Sequence, residues 1–276
     1  MTDAGHANWI GRQTVRQDIL SDRLISHYRA TLAPWLFDAD VPLGIHWCLS
    51  PEVLEADRLG QDGHLKLGIA LPDLGLVRRM WAGGEIAFQG DMTPGAQVAR
   101  TGTISDIAFK EGGSGRLGFV TLNNSYVAGS NEVMTERQDI VYRAAPAPGS
   151  ATPPASAAPD RGTPLATVAL TPDPVLLFRF SALTFNGHRI HYDRPYATGA
   201  EGYAGLVVHG PLQAILMLNL AARALGRIPA RFRYRGLSPL IAGRSVAVEA
   251  FAGEGGTLDL RVREDGGPVT MTGQAD

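Results

Sequence analysis

The sequence predicts an α+β protein made of two tandem units of the same kind, each an antiparallel sheet wrapped around a central helix. Three observations support this prediction. Two separate groups of segments alternate apolar and polar residues as strands do, one nearly uncharged helix spans residues 211–225, and a stretch rich in proline and alanine divides the two groups.

The first half of the chain is predicted to begin with a short strand and a capped helix. Thr14–Leu20 reads as the strand, and Ser21 is a favourable N-cap for a helix over Asp22–Ala33. Residues 41–49 are expected to be extended, and Glu52–Asp57 to form a short helix or turn. Four long strands are then expected, separated by glycine-containing turns: Met80–Gly90, Gln97–Lys110, Arg116–Ala128 and Glu132–Arg143.

The second half is predicted to follow a linker at residues 144–163, because this segment is rich in proline, alanine and serine and poor in large apolar side chains. After the linker, Leu176–Leu183 is expected to be a strand and residues 184–209 to be irregular. Four β segments close the chain: Ala230–Leu237, Arg244–Ala252, Leu258–Glu264 and Val269–Gln274.

The helix at 211–225 is predicted to lie in the core. Pro211 suits a first helical position, Gly226 suits a helix end, and apolar residues cover most faces between them. At about fifteen residues, with polar side chains among them, the helix is too short and too polar to span a bilayer. Its free N–H groups, from Gly210 onwards, are suited to hold a polarised carbonyl or an oxyanion.

The two halves repeat the same order of strand, helix and β meander, and residues 133–138 match residues 269–274 in type. Such internal similarity indicates a duplicated domain. A helix wrapped by a strongly bent antiparallel sheet is the hot-dog arrangement, so we expect two tandem hot-dog domains, at 1–143 and 164–276, that form a pseudo-dimer.

The composition of the chain limits the classes of protein to which it can belong. The chain has 276 residues, 45% of them apolar, and a net charge of −2, which gives no support for a nucleic-acid surface or an acidic-membrane surface. The single cysteine, Cys48, excludes an internal disulfide and a cysteine metal cluster. The first residues lack the pattern of a signal peptide and no apolar run is long enough to span a membrane, so a cytoplasmic protein is expected. His27, His46 and His64 are too scattered to indicate a metal site, and none is predicted.

One group of residues in the second half indicates which reaction the protein catalyses. The segment Thr184-Phe185-Asn186-Gly187-His188-Arg189-Ile190-His191, followed later by His209-Gly210, resembles the hydratase-2 signature of MaoC-like hot-dog enzymes. That signature reads Gly-Asp-x-Asn-Pro-aliphatic-His, with a later His-Gly at the start of the central helix. The layout is similar to the type-2 hydroxyacyl-thioester dehydratases and the itaconyl-CoA or mesaconyl-C4-CoA hydratases, in which the N-terminal hot-dog lacks the motif.

The resemblance implies a role for three residues. His191 takes the place of the histidine that activates the water added to C3 of an enoyl thioester, a task suited to imidazole. Asn186 stands where the signature has Asp; an amide is no general base, so we expect it to position water, with Asp193 as an alternative source of the missing carboxylate. Gly210 corresponds to the backbone donor to the thioester oxygen.

Other residues around the motif are candidates for substrate binding. A cation or histidine there is suited to a substrate carboxylate or to the phosphates of CoA, although each side chain alone is more readily a solvated or hydrogen-bonded loop residue. The candidates are His188, Arg189, Tyr192, Asp193, Arg194, Val208 and His209.

The resemblance therefore implies a hydro-lyase that needs no cofactor and adds water across C2=C3 of a short, branched dicarboxylyl-CoA, such as itaconyl-CoA or mesaconyl-C4-CoA, to give citramalyl-CoA. The alternatives are a 3-hydroxyacyl-ACP or -CoA dehydratase of fatty-acid synthesis, a hot-dog thioesterase, and a non-catalytic acyl-CoA binder. The expected partner is the acyl-CoA alone, and a homodimer is expected by analogy.

Overall fold

The computed structural model describes residues 4–112, 115–144 and 161–276. Its ten strands form one continuous antiparallel sheet, in the order β1-β3-β4-β5-β2-β7-β10-β9-β8-β6. The first half supplies β1 (Gln13–Ile19), β2 (Arg78–Phe88), β3 (Gln97–Gly112), β4 (Gly115–Ala128) and β5 (Asn131–Arg143). The second half supplies β6 (Ala166–Leu170), β7 (Arg231–Gly236), β8 (Val246–Ala252), β9 (Leu258–Glu264) and β10 (Val269–Ala275).

The strand order confirms the duplicated fold. From its outer edge to the middle of the sheet, the first half runs β1-β3-β4-β5-β2 and the second half runs β6-β8-β9-β10-β7. Each half therefore places its strands in the order first, third, fourth, fifth and second, and the two second strands, β2 and β7, are neighbours. There β2 pairs with β7 in an antiparallel register that sets Ile86 opposite Phe232. The two hot-dog units therefore share one sheet. The domain limits at 1–143 and 164–276 stay a prediction, and most of the predicted linker at 144–163 lies outside the described residues.

The described residues form four α-helices: α1 (Asp22–Leu32), α2 (Pro174–Thr184), α3 (Arg194–Gly199) and α4 (Gly210–Leu225). Of these, α4 lies against strands of both halves of the sheet, and α1 packs against α2. Ser21 caps α1 as predicted, since its side chain accepts a hydrogen bond from the backbone N–H of Leu24. Every residue of α4 from Leu212 to Ala222 is buried, which confirms a core helix. Within the described residues, no helix combines the length and apolar character needed to cross a membrane.

The buried polar residues of α4 have partners within the core. The Asn219 side chain donates to the carbonyl oxygens of Ile215 and Leu43 and accepts from the N–H of Phe37. The side-chain oxygen of Gln213 accepts from the Thr270 hydroxyl at 2.7 Å. Because these amides are satisfied, α4 tolerates polar residues at positions without access to water.

The prediction of a strand at Leu176–Leu183 is wrong. These residues belong to α2, which begins at Pro174 and is capped by Asp173, whose carboxylate accepts from the N–H of Leu176 at 2.7 Å. Its buried residues, Leu176, Leu177, Phe180 and Ser181, follow a helical spacing rather than alternation. The strand of this region is β6, and it lies before α2.

Three shorter expectations also differ from the structure. Residues 41–49 are not extended throughout, because Ile45–Cys48 forms a 3-10 turn. The helical turn expected over Glu52–Asp57 is confined to Ala56–Arg58. The segment 184–209, expected to be irregular, contains α3 and a 3-10 turn at Arg189–His191. In each case only three to six residues are involved, a length at which apolar periodicity has little power.

Candidate active site

The centre of the candidate site is His191, which is 6% exposed. Its Nδ1 lies 2.7 Å from the carbonyl oxygen of Val207. Because a carbonyl oxygen only accepts, Nδ1 carries the proton, and the lone pair of the neutral ring is at Nε2. Burial lowers the pKa of His191 to about 3, and no described residue forms a hydrogen bond with Nε2. The side chain is thus an oriented, uncharged base.

The second histidine of the motif, His209, stacks on His191 with ring centroids 3.6 Å apart and planes inclined by 17°. Its Nε2 lies 2.9 Å from the hydroxyl of Ser181 on α2, and its Nδ1 is buried with no partner among the described residues. Burial, and then the proximity of His191, lowers the pKa of His209 well below its usual value. Both stacked rings are therefore uncharged, and His209 fixes one face of the His191 ring.

Gly210 is the first residue of α4 and directly follows His209, so its backbone N–H is one of the free donors at the helix start. A Cβ at this position would lie 2.7 Å from Cε3 of Trp81. Trp81 belongs to β2 of the first half and stacks on Tyr234 of β7 with centroids 4.4 Å apart. The first half thus supplies the wall that covers Gly210, and only glycine fits beneath it.

Asn186 forms a turn. Its side-chain oxygen accepts from the N–H of His188 at 2.9 Å, and its own N–H donates to the carbonyl of Ser181 at the end of α2. Phe185, between them, has φ +50°, the left-handed conformation common at helix ends. Asn186 thereby sets the direction in which the chain leaves α2 toward His191. The expectation that it positions water stays a prediction.

The charged residues of the motif mainly bind one another. The Arg189 guanidinium is 2.7 Å from the Asp193 carboxylate and lies over the ring of Tyr196 at 4.0 Å. The other oxygen of Asp193 caps α3 by accepting from the N–H of Tyr196. Since both Asp193 oxygens are engaged away from the His191 ring, this residue is a poor replacement for the missing carboxylate.

The remaining candidates divide by position. Val208 is buried beside the motif and its N–H donates to the carbonyl of Leu240. Tyr192 is 50% exposed and its hydroxyl donates to the carbonyl of Gly187, and Arg194 is exposed at the start of α3. The structure thus brings His188, His191, His209 and Gly210 together and leaves Tyr192 and Arg194 at the surface.

A loop of the first half, not foreseen as part of the site, docks on the motif. The carbonyl of Asp62 accepts from the N–H of Arg189 at 2.9 Å. Gly63 has φ +86° and lies so close to Gly187 that a Cβ would be 2.0 Å from its carbonyl oxygen. This approach places the His64 ring over the His188 ring, with centroids 3.9 Å apart. No local sequence pattern marks this loop as part of the site, because its position depends on how two distant segments pack.

His27, His46 and His64 were judged too scattered to indicate a metal site, but the structure brings His64 close to two other side chains of ligand type. Asp62, His64 and His188 each offer one ligand atom, and the three atoms lie within 4.8 Å of one another. An oxygen and two imidazole nitrogens are a ligand set that zinc accepts. However, the two rings lie over each other at a tilt of 36°, and Nδ1 of His64 is 2.9 Å from the Asp62 carboxylate. The hydrogen bond between Asp62 and His64 thus already pairs two of the three groups.

The surroundings of Asp62 and His188 determine the charge that each carries near neutral pH. Burial raises the pKa of Asp62, but the hydrogen bond and charge of His64 outweigh it and bring the pKa down to about 2. Burial, followed by the neighbouring His64, lowers the pKa of His188 to about 3. Near neutral pH, Asp62 is ionised and His188 is uncharged. The His188 ring meets the His191 ring edge-on, with centroids 5.4 Å apart. His188 therefore lies between the His64 loop and the candidate base His191.

Comparison with known proteins agrees with this description. Residues 44–242 match the family model described as hydroxyacyl-thioester dehydratase type 2. The chain is 42% identical over 245 residues to a mesaconyl-C(4)-CoA hydratase of Chloroflexus aurantiacus, covering 87% of this chain and 86% of that protein.

Solved structures support the fold. A MaoC-like dehydratase superposes with a TM-score of 0.72 at 13% identity, over 99% of both chains. A Mycobacterium tuberculosis protein described as a double hotdog fold superposes with a TM-score of 0.58 at 14% identity, over 96% of this chain and 95% of that chain. At these identities the likeness concerns the fold, and it confirms the tandem hot-dog architecture.

Proposed function

The chain belongs to the family of type-2 hydroxyacyl-thioester dehydratases and is a hydro-lyase, and from this premise we propose that it hydrates mesaconyl-C4-CoA to citramalyl-CoA. The observation that supports the proposal most is the adjacency of two groups: a neutral His191 with a free Nε2, and the start of α4 at Gly210. A thioester held between them has its alkene beside a base and its carbonyl oxygen beside a backbone donor.

The proposed reaction is a proton transfer coupled to addition. Nε2 of His191 takes a proton from water as the water oxygen forms a bond to C3, and the electrons of the C2=C3 bond move onto the thioester as an enolate. The N–H of Gly210, at the positive end of α4, stabilises the enolate oxygen. The imidazolium of His191 then returns a proton to C2, which restores the thioester and the neutral base. One water is consumed, and no redox step occurs.

The residues of the site support this division of roles. The bond from Nδ1 to Val207 and the stack on His209 fix the His191 ring, so that Nε2 points in one direction. Trp81 packs over Gly210, where a Cβ would lie 2.7 Å from its ring, and so forms one wall at the start of α4. Since His191 is the base in this scheme and no described carboxylate accepts its Nδ1 proton, the polarising partner is the Val207 carbonyl rather than an aspartate.

A second activity of the same kind is favoured by the family model: dehydration of 3-hydroxyacyl thioesters, which is the same reaction in reverse. The substrate experiment incubates the protein with mesaconyl-C4-CoA, itaconyl-CoA and crotonyl-CoA. The loss of the conjugated enoyl-thioester absorbance is followed for mesaconyl-C4-CoA and crotonyl-CoA, and the product mass is measured for all three. We expect water addition, a mass gain of one water, and highest kcat/KM with mesaconyl-C4-CoA. Release of free CoA thiol instead would indicate a thioesterase, and tight binding without turnover would indicate an acyl-CoA binder. The homodimer and the cytoplasmic location stay predictions.

A further inference from the structure

Arg79 on β2 is a partly buried cation without a carboxylate partner among the described residues. Its Nη2 donates to the carbonyl oxygen of Leu65 at 2.8 Å. Its neighbour Arg78, on the opposite face of the strand, is neutralised by an ion pair with Glu201. The guanidinium of Arg79 therefore keeps a positive charge that no carboxylate among the described residues neutralises, and it is available to pair with an anion.

The position of Arg79 lies on the wall of the candidate site. Side chains two residues apart on a strand share a face, so Arg79 and Trp81 project to the same side of β2, and Trp81 is the ring that covers Gly210. Leu65, to which Arg79 donates, follows His64, whose ring overlaps His188. The positive charge of Arg79 also contributes to the low pKa of His188, after burial and His64. The guanidinium is therefore close to the ring that touches His191.

The negative charge of Asp62 in the same loop does not compensate Arg79. No ion pair joins the two side chains in the described structure, whereas the Asp62 carboxylate is bonded to Nδ1 of His64 at 2.9 Å. The pair of Asp62 and His64 thus satisfies itself. Among the described residues, no carboxylate is ion-paired with Arg79.

The chemistry of a dicarboxylyl thioester matches this position. In mesaconyl-C4-CoA the free carboxylate is attached to C3, the carbon that receives the water, and a C–C bond is only about 1.5 Å long. The carboxylate therefore lies next to the base, on the side where His188 and the loop of the first half are found. A guanidinium binds a carboxylate through two parallel hydrogen bonds, which fixes orientation as well as charge.

We infer that Arg79, supplied by the half of the chain that lacks the motif, binds the free carboxylate on C3 of the substrate and so determines specificity for dicarboxylyl thioesters. This inference rests on the proposed hydratase function. Fixing the carboxylate turns C3 toward the water held by His191. The two halves then divide the work: the second supplies the proton transfer, and the first selects the acyl group.

The test compares a thioester that has the C3 carboxylate with one that lacks it, in the full-length protein. Mesaconyl-C4-CoA and crotonyl-CoA are assayed for hydration. Equilibrium binding is measured with their saturated analogues: methylsuccinyl-CoA, which has the carboxylate and is called the carboxylate analogue below, and butyryl-CoA, which lacks it. The variants are Arg79→Gln, Arg79→Lys and, as a control of equal charge change, Arg235→Gln, since Arg235 is exposed on β7. For Arg79→Gln we expect the Kd of the carboxylate analogue to rise about 10- to 100-fold, with the Kd of butyryl-CoA within about threefold of wild type.

Each result of these measurements identifies which part of the proposal is wrong. Equal weakening of both analogues means that Arg79 binds the CoA phosphates, and no weakening of either means that it binds neither anion; both results overturn the inference. If wild type hydrates neither thioester, the proposed function fails, and the binding measurement still reports on Arg79. If Arg79→Gln does not fold, Arg79→Lys decides, because it keeps the charge but loses the paired hydrogen bonds; we expect it to weaken the carboxylate analogue alone.

Discussion

The imidazole of His191 lies flat against that of His209, with 3.6 Å between the ring centroids and 17° between the planes. Two imidazolium ions could not share this arrangement in a buried site, because like charges at such a distance repel strongly and lack solvation. The stack therefore allows at most one of the two rings to be charged at a time, and burial keeps both rings neutral before the reaction. Neutral histidines are what a base that takes a proton from water needs.

Stability should depend on pH through the buried histidines. Burial lowers the pKa of His46 and of His191 to about 3, below the value of about 6.5 in an unfolded chain. Below pH 6.5 the unfolded chain takes up protons that the folded chain does not, so stability present above pH 6.5 is lost progressively toward pH 3. Each such histidine contributes a slope of up to about 1.4 kcal/mol per pH unit.

Urea unfolding between pH 7 and pH 5 checks this expectation. His46 is fully buried and its Nε2 has no partner among the described residues, so His46→Leu removes one titrating group without touching the motif. We expect a shallower dependence of the unfolding free energy on pH in this variant. A wild-type free energy that stays constant from pH 7 to pH 5 contradicts the assignment of neutral buried rings.

The hydration rate should depend on pH less than it would if the base were a histidine at the surface. Because the pKa of His191 is lowered to about 3, the base remains unprotonated at pH 5.5. We therefore expect kcat/KM for hydration to change by less than about threefold between pH 7.5 and pH 5.5, as long as intrinsic fluorescence shows the protein to be folded. A loss of activity centred near pH 6.5 in folded protein would indicate that the base has an ordinary histidine pKa.

Gly210→Ala should impair both stability and turnover. The added methyl would lie 2.7 Å from Trp81, which cannot retreat because it is stacked on Tyr234 and meets Trp47 edge-on. Overpacking of this kind costs about 1–3 kcal/mol, and the displaced N–H should lower kcat at least tenfold. The matched control is Gly199→Ala at the end of α3, where a methyl meets nothing within 4 Å. Wild-type kcat in Gly210→Ala would remove this N–H from the mechanism.

Docking of the first-half loop is tested by two glycines with the same backbone conformation. Gly63 and Gly68 have φ +86° and +83°, so alanine is strained at both and costs about 1 kcal/mol or more. Only at Gly63 would the methyl strike Gly187 of the motif. We expect Gly63→Ala to lower kcat/KM at least tenfold and Gly68→Ala to affect stability alone. Equal activity of the two variants would show that the loop contact does not matter for turnover.

Much of this fold could be predicted from the sequence, because its elements are long and regular. The paired strands of both halves alternate over many residues, and α4 is marked by Pro211, Gly226 and an apolar run between them. The strand predicted at Leu176–Leu183 failed, since a short apolar run suits a buried strand and a helix equally. The deciding features were Asp173 and Pro174, which together form a helix start.

The site could be predicted only where the chain itself brings residues together. His191, His209 and Gly210 belong to a motif with fixed spacing, and the structure places the two rings in contact. His64 and Arg79 belong to the other half, and they reach the site through the approach of Gly63 to Gly187 and the pairing of β2 with β7. Neither relationship has a local sequence signal, because both depend on how two distant segments pack.

The measurement that tests the central claim most directly is the hydration of mesaconyl-C4-CoA by wild type and His191→Gln, which keeps a side chain able to hydrogen-bond to Val207 but has no basic nitrogen. His27→Gln, on the exposed side of α1, is the control. We predict that kcat falls about 10²- to 10⁴-fold in His191→Gln, with a Tm close to that of wild type, and is unchanged in His27→Gln. Turnover by folded His191→Gln at the wild-type rate contradicts the assignment of His191 as the base.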